Sequence, residues 1–594
     1  MPGGVTALTP IARRVLEARY LRRDASGRVV ESPDELVERV ARATAQAELL
    51  LGTARQADAW QARFQAMLAA LDFLPNSPAL MNAGTPLGQL CACFVLPVED
   101  SLEAIFDALR AMALVQRSGG GTGFSFSRLR PRDDPLGSTG GQASGPVSFM
   151  RVFDAATENI KLGGRRRGAN MAVLRIDHPD VCEFVEAKLD GRSLGNFNLS
   201  VAVTDAFMDA VATDGTHDLV HPATRRPVYR LQARELFDRL VQAAWQCGDP
   251  GLLFLDAVAR ADPLPSLGPI EATNPCGEVP LRPFGSCVLG SVNLAHMVRV
   301  AGGAAEVDWE RLRATVRAGV RFLDDLIEVT REPLPEIAAT TRATRAIGLG
   351  VMGFAELLLS LGVSYADEAA VAWAERLAAF VAEEARQGSR LLAAERGVFP
   401  AWEQSLHAAR GDRLRNATCC SIAPTGTLSL IAGTTAAIEP LFALAYRREH
   451  TLGGPPFVEV NPVFLRALEE MGADGEPVLA HVRARGTLDG APVDPALAHR
   501  FATALALTGM QHLRVQQAFQ RHVDNAVSKT VNLPADATPS DVAAVYREAW
   551  RLGLKGVTVF RYGSAPGQVL TLGAGEEPAA RELFAQCDPA ACRL

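Results

Sequence analysis

The chain has 594 residues, 48% apolar and 21% charged, an ordinary globular composition that excludes disordered and collagen-like classes. Sixty basic residues against 67 acidic ones leave a net charge of −7, which gives no support for a nucleic-acid or anionic-membrane surface. Ten cysteines are too few for a disulfide scaffold, so the places where they fall carry the information.

The start, Met1-Pro2-Gly3-Gly4-Val5, has no basic end followed by an apolar stretch, and no run approaches the roughly 18 apolar residues of a membrane span. A cytoplasmic protein with reduced thiols is expected. Residues 1–72 read as an N-terminal helical region. Pro10 opens a run with Ile11, Val15 and Leu16 at helical spacing, and Pro33 opens a second with Leu36, Val40 and Ala41 on one face. From 73 to 562, short β-branched or aromatic runs (93–96, 171–174, 199–203, 288–292) alternate with helical patterns (102–116, 232–248, 308–330, 366–396, 539–552), which predicts one α/β body. Two glycine-dense stretches, 118–123 and 137–145, interrupt the pattern. Residues 563–594 have no sustained period and read as a flexible tail, yet they carry Cys587 and Cys592.

No local pattern marks a metal site. Cys91 and Cys93 are too close for a zinc knuckle, Cys587 and Cys592 have no second pair nearby, and the segment joining His217 to His221 runs into Pro222. The chain holds four lysines and 56 arginines, a coding bias that weakens any anion-binding argument from Arg165-Arg166-Arg167.

Asn274-Pro275-Cys276-Gly277-Glu278 is more informative. Pro275 and Gly277 disfavour a helix, so the segment reads as extended or as a loop tip, and in an extended chain residues two apart face the same way. Asn274, Cys276 and Glu278 would then bring an amide, a thiol and a carboxylate into one small volume. A tight turn around a buried thiol accounts for the spacing equally well. A mobile Cys587/Cys592 pair suits thiol exchange, as it also suits two incidental tail cysteines. Such a shuttle needs an internal disulfide to reduce, and Cys93 and Cys287 are candidates whose meeting spacing cannot show. Gly348-Leu349-Gly350-Val351-Met352-Gly353 matches the dinucleotide fingerprint, but the polar residues before it do not read as the required strand. The Ser118–Gly123 run lacks the Lys-Ser/Thr of a phosphate loop, and close backbone approach suits its glycines better.

Taken in order, Leu74–Pro78, Gln89–Pro97, Ser118–Gly123, Asn274–Glu278, Ala423–Thr427, Asn525–Thr530 and Gly553–Gly556 resemble the motifs of ribonucleotide reductases, specifically the adenosylcobalamin-dependent (class II) branch. The resemblance implies a ten-stranded α/β barrel of two antiparallel five-stranded halves, with an internal finger loop, over residues 73–562. It makes Cys276 the radical residue, Glu278 the acceptor of the 3′-hydroxyl proton and Asn274 a partner of the sugar hydroxyls. Cys93 and Cys287 become the reducing pair, recharged by Cys587 and Cys592 from thioredoxin or glutaredoxin. Substrate binding falls on Ser77, Ala92, Gly121 and Pro424, Thr425, Gly426, Thr427 and Leu428. Deoxynucleotide effector contacts fall on Asp100, Ser101, Lys161 and Arg166, within a homodimer whose two specificity loops are 161–169 and 191–199.

The iron-dependent branch relays its radical through a tyrosine pair after the Leu-Lys motif. Here Leu554-Lys555 continues Gly556-Val557-Thr558-Val559, and no glycyl-radical motif stands near Tyr562-Gly563. Adenosylcobalamin is therefore the cofactor the resemblance implies, with no metal held by protein side chains. The N-terminal region is too short for the family's activity-regulating cone beside its usual helices, so overall inhibition by dATP is not expected.

Overall fold

The computed structural model describes residues 5, 8–137, 140–162, 166–448, 457–471, 475–564 and 570–572. The N-terminal helices begin where the sequence places helix starts. Helix α1 (Pro10–Arg19) has Thr9 as N-cap, with Pro10 in its first turn. Helices α2 (Pro33–Leu51) and α3 (Ala54–Ala69) open on reciprocal capping boxes, Ser32/Glu35 and Thr53/Gln56. Ile11, Val15 and Leu16 of α1 and Leu36, Val40 and Ala41 of α2 are buried, as their spacing predicts. Buried charge ties these helices to the body: Glu48 of α2 accepts from Arg321 on helix Trp309–Val329 and from Arg396 on helix Glu368–Arg396, each at 2.7 Å.

Ten strands form the main sheet: β1 (Phe73–Pro75), β2 (Cys93–Leu96), β3 (Gly121–Ser125), β4 (Asn170–Arg175), β5 (Phe197–Val203), β6 (Gly251–Phe254), β7 (Gly285–Asn293), β8 (Ile347–Met352), β9 (Thr530–Leu533) and β10 (Gly556–Arg561). Strands β2 to β6 run side by side and parallel, the arrangement that intervening helices such as Leu102–Arg117 and Ala233–Cys247 permit. At either end of this run the neighbour is antiparallel, β7 beside β2 and β10 beside β6. Strand β8 lies parallel to β7, and β9 parallel to β10. Between β8 and β9 the connection consists of single bridges, Leu349 with Cys420 and Ile422 with Val527. Backbone hydrogen bonds carry it, among them Ser421 N–H to Leu349 O (3.0 Å) and Ile422 N–H to Ala526 O (3.1 Å).

Strand alternation sorts the apolar residues into two layers. Phe94, Leu96, Ala172 and Leu174 join the large core beneath the helices. Cys93, Val95, Met171, Val173, Cys287 and Leu289 form a separate cluster with Ala272, Val279 and Leu281. Those last three belong to a hairpin, Ala272–Thr273 paired with Pro280–Leu281, that packs against β2, β3 and β4. Glycines make this approach possible: a Cβ on Gly123 would lie 1.9 Å from Thr273 O, and one on Gly121 would lie 3.0 Å from the Pro275 ring.

The glycine run 348–353 is itself strand β8 over Ile347–Met352, preceded by helix Pro335–Thr344, so it has no dinucleotide-loop geometry. Gly350 is required there because a Cβ would lie 2.3 Å from Ser421 O. The tail, read as structureless from 563, includes a short strand, Leu570–Leu572, paired with Arg447–Arg448. Cys587 and Cys592 lie outside the described residues. Among those described, no helix is long and apolar enough to cross a membrane.

Candidate active site

The hairpin presents its turn, Asn274 to Val279, to the inner face of the sheet. The turn is tight rather than extended: Gly277 N–H donates to Asn274 O (3.1 Å), and Gly277 takes φ +83°, a conformation that favours glycine. Of the two conformations expected for this segment, extended or a loop tip, the structure has the loop tip, and the alignment of three side chains by strand alternation is not found. Pro275 and Gly277 bend the chain, so Asn274 and Glu278 meet across the turn and Cys276 stands exposed at its tip. Asn274 Nδ2 donates to Glu278 Oε2 (2.8 Å) and Cys93 Sγ (3.1 Å), while its Oδ1 accepts from Val279 N–H (2.9 Å). With both ends of the amide engaged, its orientation is set. The turn is held from outside by Asn198 of β5, whose Nδ2 donates to Pro275 O (2.8 Å), and by Ser421 Oγ and Ala526 N–H, which both donate to Glu278 O (2.8 Å).

Cys93 and Cys287 are direct register partners across the antiparallel β2–β7 pair. Opposed residues in such a pair have Cα atoms about 4.5–5.5 Å apart, inside the range a disulfide spans. Both thiols are buried. Burial, reinforced by the nearby Glu278 carboxyl, pushes the Cys93 thiol well above the ordinary range and Cys287 likewise, so both are protonated near neutrality. Burial also pushes Glu278 up to about 7, against the opposing hydrogen bonds from Asn274 and Cys93. A carboxyl with that value exchanges protons readily near neutral pH.

Cys276 lies between two cavities. The smaller, about 160 Å³, is lined by Cys93, Asn274, Cys276 and Glu278 together with all eight substrate residues expected from the sequence: Ser77, Ala92, Gly121 and Pro424–Leu428. Cys287 does not line it and sits behind Cys93. The larger cavity, about 620 Å³, is lined on the other side of Cys276 by Asn198, Ser200, Cys247–Asp249, residues 527–530, Asn532 and residues 556–560. Several of these were singled out from the sequence for other reasons, Asn198 in an expected specificity loop, residues 527–530 and 556 in family motifs and 557–559 where a tyrosine pair is missing, but none was expected to line a cavity beside Cys276, because their convergence depends on the fold.

The four effector candidates are on two elements that touch the same helix. Asp100 accepts from Arg130 Nε (2.9 Å), and Ser101 caps helix Leu102–Arg117. Backbone pairing of Lys161–Leu162 with Arg166–Arg167 forms a hairpin against that helix. Of the cysteines assigned to packing, Cys91 donates to Glu332 Oε1 (3.0 Å), Cys247 donates to backbone oxygens, and Cys419 and Cys420 are buried. Among the described residues no cluster of His, Cys, Asp and Glu could hold a metal ion.

A protonated thiol pair, a third thiol at a hairpin tip and a carboxyl poised near neutrality, gathered inside an α/β sheet, define a thiol-dependent oxidoreductase. Residues 91–413 and 409–560 match the ribonucleotide reductase barrel domain, and residues 6–88 its all-alpha domain. The chain belongs to the ribonucleotide reductase family. It is 53% identical over 585 residues, 98% of this chain and 82% of the relative, to a vitamin B12-dependent ribonucleoside-diphosphate reductase of Mycobacterium tuberculosis (strain CDC 1551 / Oshkosh). It is 44% identical over 624 residues, 96% of this chain and 81% of the relative, to a protein of the same name from Thermoplasma acidophilum. The class Id ribonucleotide reductase alpha subunit of Actinobacillus ureae shares the fold, with a TM-score of 0.76 at 22% identity over 94% of this chain and 97% of that one.

Proposed function

We propose that this chain is an adenosylcobalamin-dependent reductase that converts ribonucleoside diphosphates to 2′-deoxyribonucleotides by radical chemistry at Cys276. The observation that carries the proposal is the placement of Cys276 between two cavities, one holding the acid, amide and thiol and the other large enough for part of a cofactor. The names of the two relatives above support the diphosphate level and the cofactor. The single bridges between β8 and β9 support a sheet closed into a ten-stranded barrel of two five-stranded halves around the finger loop. In this reading the domains are 1–72, 73–562 and 563–594.

The larger cavity fits the cofactor. Its volume is that of a small-molecule site (about 300–1,000 Å³), and Asn198, Ser528, Thr530, Asn532 and Thr558 offer polar contacts. Thr558 and Val559 line it where a tyrosine relay would otherwise stand. When bound, adenosylcobalamin supplies the radical equivalent that removes the thiol hydrogen atom of Cys276.

The substrate ribose lies in the smaller cavity over Cys276, with its phosphates on Pro424–Leu428 and Ser77 and its body against Ala92 and Gly121. The Cys276 sulfur radical takes the 3′-hydrogen, Glu278 accepts the 3′-hydroxyl proton, and Asn274 holds the sugar hydroxyls. The 2′-hydroxyl leaves as water with a proton from one thiol of the Cys93/Cys287 pair, and the hydrogen of the other thiol goes to C2′. The pair gives up two electrons in all and closes into a disulfide, Glu278 returns its proton to the 3′-oxygen, and Cys276 returns the hydrogen atom to C3′. Their burial as neutral thiols suits this proton-donating role. Cys587 and Cys592 then reduce the disulfide by thiol exchange and are recharged by thioredoxin or glutaredoxin in the cytoplasm.

The enzyme acts as a homodimer whose base preference is set by a deoxynucleoside triphosphate near Asp100, Ser101, Lys161 and Arg166. Exposed Leu102, Phe106 and Val152, on adjacent helices of that region, support an apolar dimer face. The test is reduction of a ribonucleoside diphosphate by the full chain with a dithiol, with and without adenosylcobalamin. Turnover should require the cofactor, and Cys276→Ala should abolish it while nucleotide binding persists. Cofactor-independent turnover, or turnover by the variant, would overturn the proposal.

A further inference from the structure

The smaller cavity has no positive charge of its own. Among the described residues lining it there is no lysine or arginine, and the one ionisable oxygen acid, Glu278, can only add negative charge. A nucleoside diphosphate brings several negative charges into it. Small hydroxyls and backbone N–H groups orient phosphate oxygens but do not neutralise them.

A cation reaches this wall from the N-terminal helices. Arg19 is the last residue of α1, where the helix dipole favours a positive side chain, and α1 packs on the helix Gly426–Ala432. Arg19 Nη1 donates to Thr427 Oγ1 at 3.3 Å. The next residue, Tyr20, is buried, and its hydroxyl lies 2.8 Å from Ser77 Oγ. Thr427 and Ser77 both line the smaller cavity, so two consecutive residues of α1's end touch two of its hydroxyls. A guanidinium is a planar fork of five donors whose geometry matches phosphate oxygens. The Tyr20 and Ser77 hydroxyls share a hydrogen bond, which fixes the place of Ser77 Oγ on this wall.

We infer that Arg19 is a substrate-binding residue whose guanidinium pairs with the outer phosphate of the nucleoside diphosphate, with Tyr20 positioning the Ser77 hydroxyl beside it. The N-terminal helical region thereby completes the substrate site and selects substrates by phosphate count. This rests on the proposed assignment of the smaller cavity to the ribonucleotide. A monophosphate lacks the group that Arg19 binds, so discrimination between di- and monophosphate resides largely in this one side chain.

The test uses the full chain with adenosylcobalamin and a dithiol, and compares cytidine diphosphate with cytidine monophosphate. Loss of a charge-assisted contact predicts that Arg19→Gln raises the diphosphate KM roughly ten- to hundredfold. At saturation kcat should stay within about twofold, since the side chain is remote from the reacting carbon, and the monophosphate KM should not change. Arg19→Lys should recover most of the loss, and Tyr20→Phe should give a smaller rise in KM alone. Should Arg19→Gln fail to fold, Arg19→Lys carries the test, because exchanging a planar fork for a point charge should raise the diphosphate KM several-fold at unchanged kcat. An unchanged diphosphate KM, an equal rise for both nucleotides, or a loss confined to kcat and thermal stability would overturn the inference and leave Arg19 a structural anchor. Wild-type protein that reduces no ribonucleotide, or a Cys276→Ala variant that does, would instead overturn the underlying assignment of the cavity. A normal wild type with an unresponsive Arg19→Gln fails this inference alone.

Discussion

The two cavities that meet at Cys276 are built on different principles. In the smaller one the reactive groups are committed to one another: Asn274 bonds both Glu278 and Cys93, and Cys93 faces Cys287 across a strand pair. Its residues come in short runs, 76–78, 274–278 and 423–428, because bond-making chemistry needs particular groups within hydrogen-bond reach. The larger cavity is a space between strand ends and loops, and its lining is drawn from many separated positions. Chemistry is written in motifs, whereas volume is written in how elements pack.

That contrast can be broken at three points. The largest effect is expected from Glu278→Gln, which keeps the size and the Asn274 contact but removes the base. A positioned acid–base group contributes about 10²- to 10⁴-fold, so kcat should fall by that order. The pH profile gives a second reading. Burial raises Glu278 to about 7, so the carboxyl is protonated below that value and cannot accept the 3′-hydroxyl proton. Activity should therefore fall as pH drops through about 7, and that limb should vanish in the variant. A wild-type limb near 4.5 would show that the site is wetter than its burial implies.

An intermediate effect is expected from Thr558→Trp, which fills the larger cavity without touching the smaller. Cofactor affinity should drop at least about tenfold while nucleotide binding in the absence of cofactor stays normal, a split that equilibrium dialysis of each ligand resolves. Loss of both would mean that the two spaces are not independent.

The smallest effect is expected from Asn198→Ala, which removes the hydrogen bond to Pro275 O but no reacting group. Asn198 is exposed and this neutral hydrogen bond only partly buried, so its net worth is about 0.5–1 kcal/mol; a small fall in stability and a several-fold loss in kcat should follow, readable by denaturant titration and steady-state kinetics. An effect as large as that of Glu278→Gln would place Asn198 among the reacting groups.

Much of the fold was legible in the residues. The predicted helices at 102–116, 232–248, 308–330 and 539–552 agree with the observed ones to within a residue or two, because apolar spacing and caps are local signals. The strands near 93, 171, 199 and 288 were equally visible as β-branched and aromatic runs. Helices such as Pro335–Thr344 and Gly509–Gln520 were not, since their sequences mix polar residues into both faces and are held by neighbours rather than by strong periodicity. Within the site, the identities of Asn274, Cys276 and Glu278 were legible but their mutual geometry was not. An extended segment and a loop tip were both compatible with Pro275 and Gly277; the structure has the loop tip, so the turn and not strand alternation brings Asn274 and Glu278 together.

What the sequence determined by itself is the chemistry on offer: which thiols, which acid and which amide, the absence of a tyrosine pair after Lys555, and the family to which these belong. Three matters were decided only by the tertiary structure. Cys93 and Cys287 face each other because β2 and β7 are neighbours in one register, although 193 residues separate them in the chain. Cys276 divides two cavities because glycines at 121 and 123 let a hairpin enter the sheet. Arg19 and Tyr20 reach the substrate wall because α1 docks on the helix that begins at Gly426. Each is a contact between elements far apart in sequence, and no local pattern of charge or hydrophobicity encodes a partner hundreds of residues away.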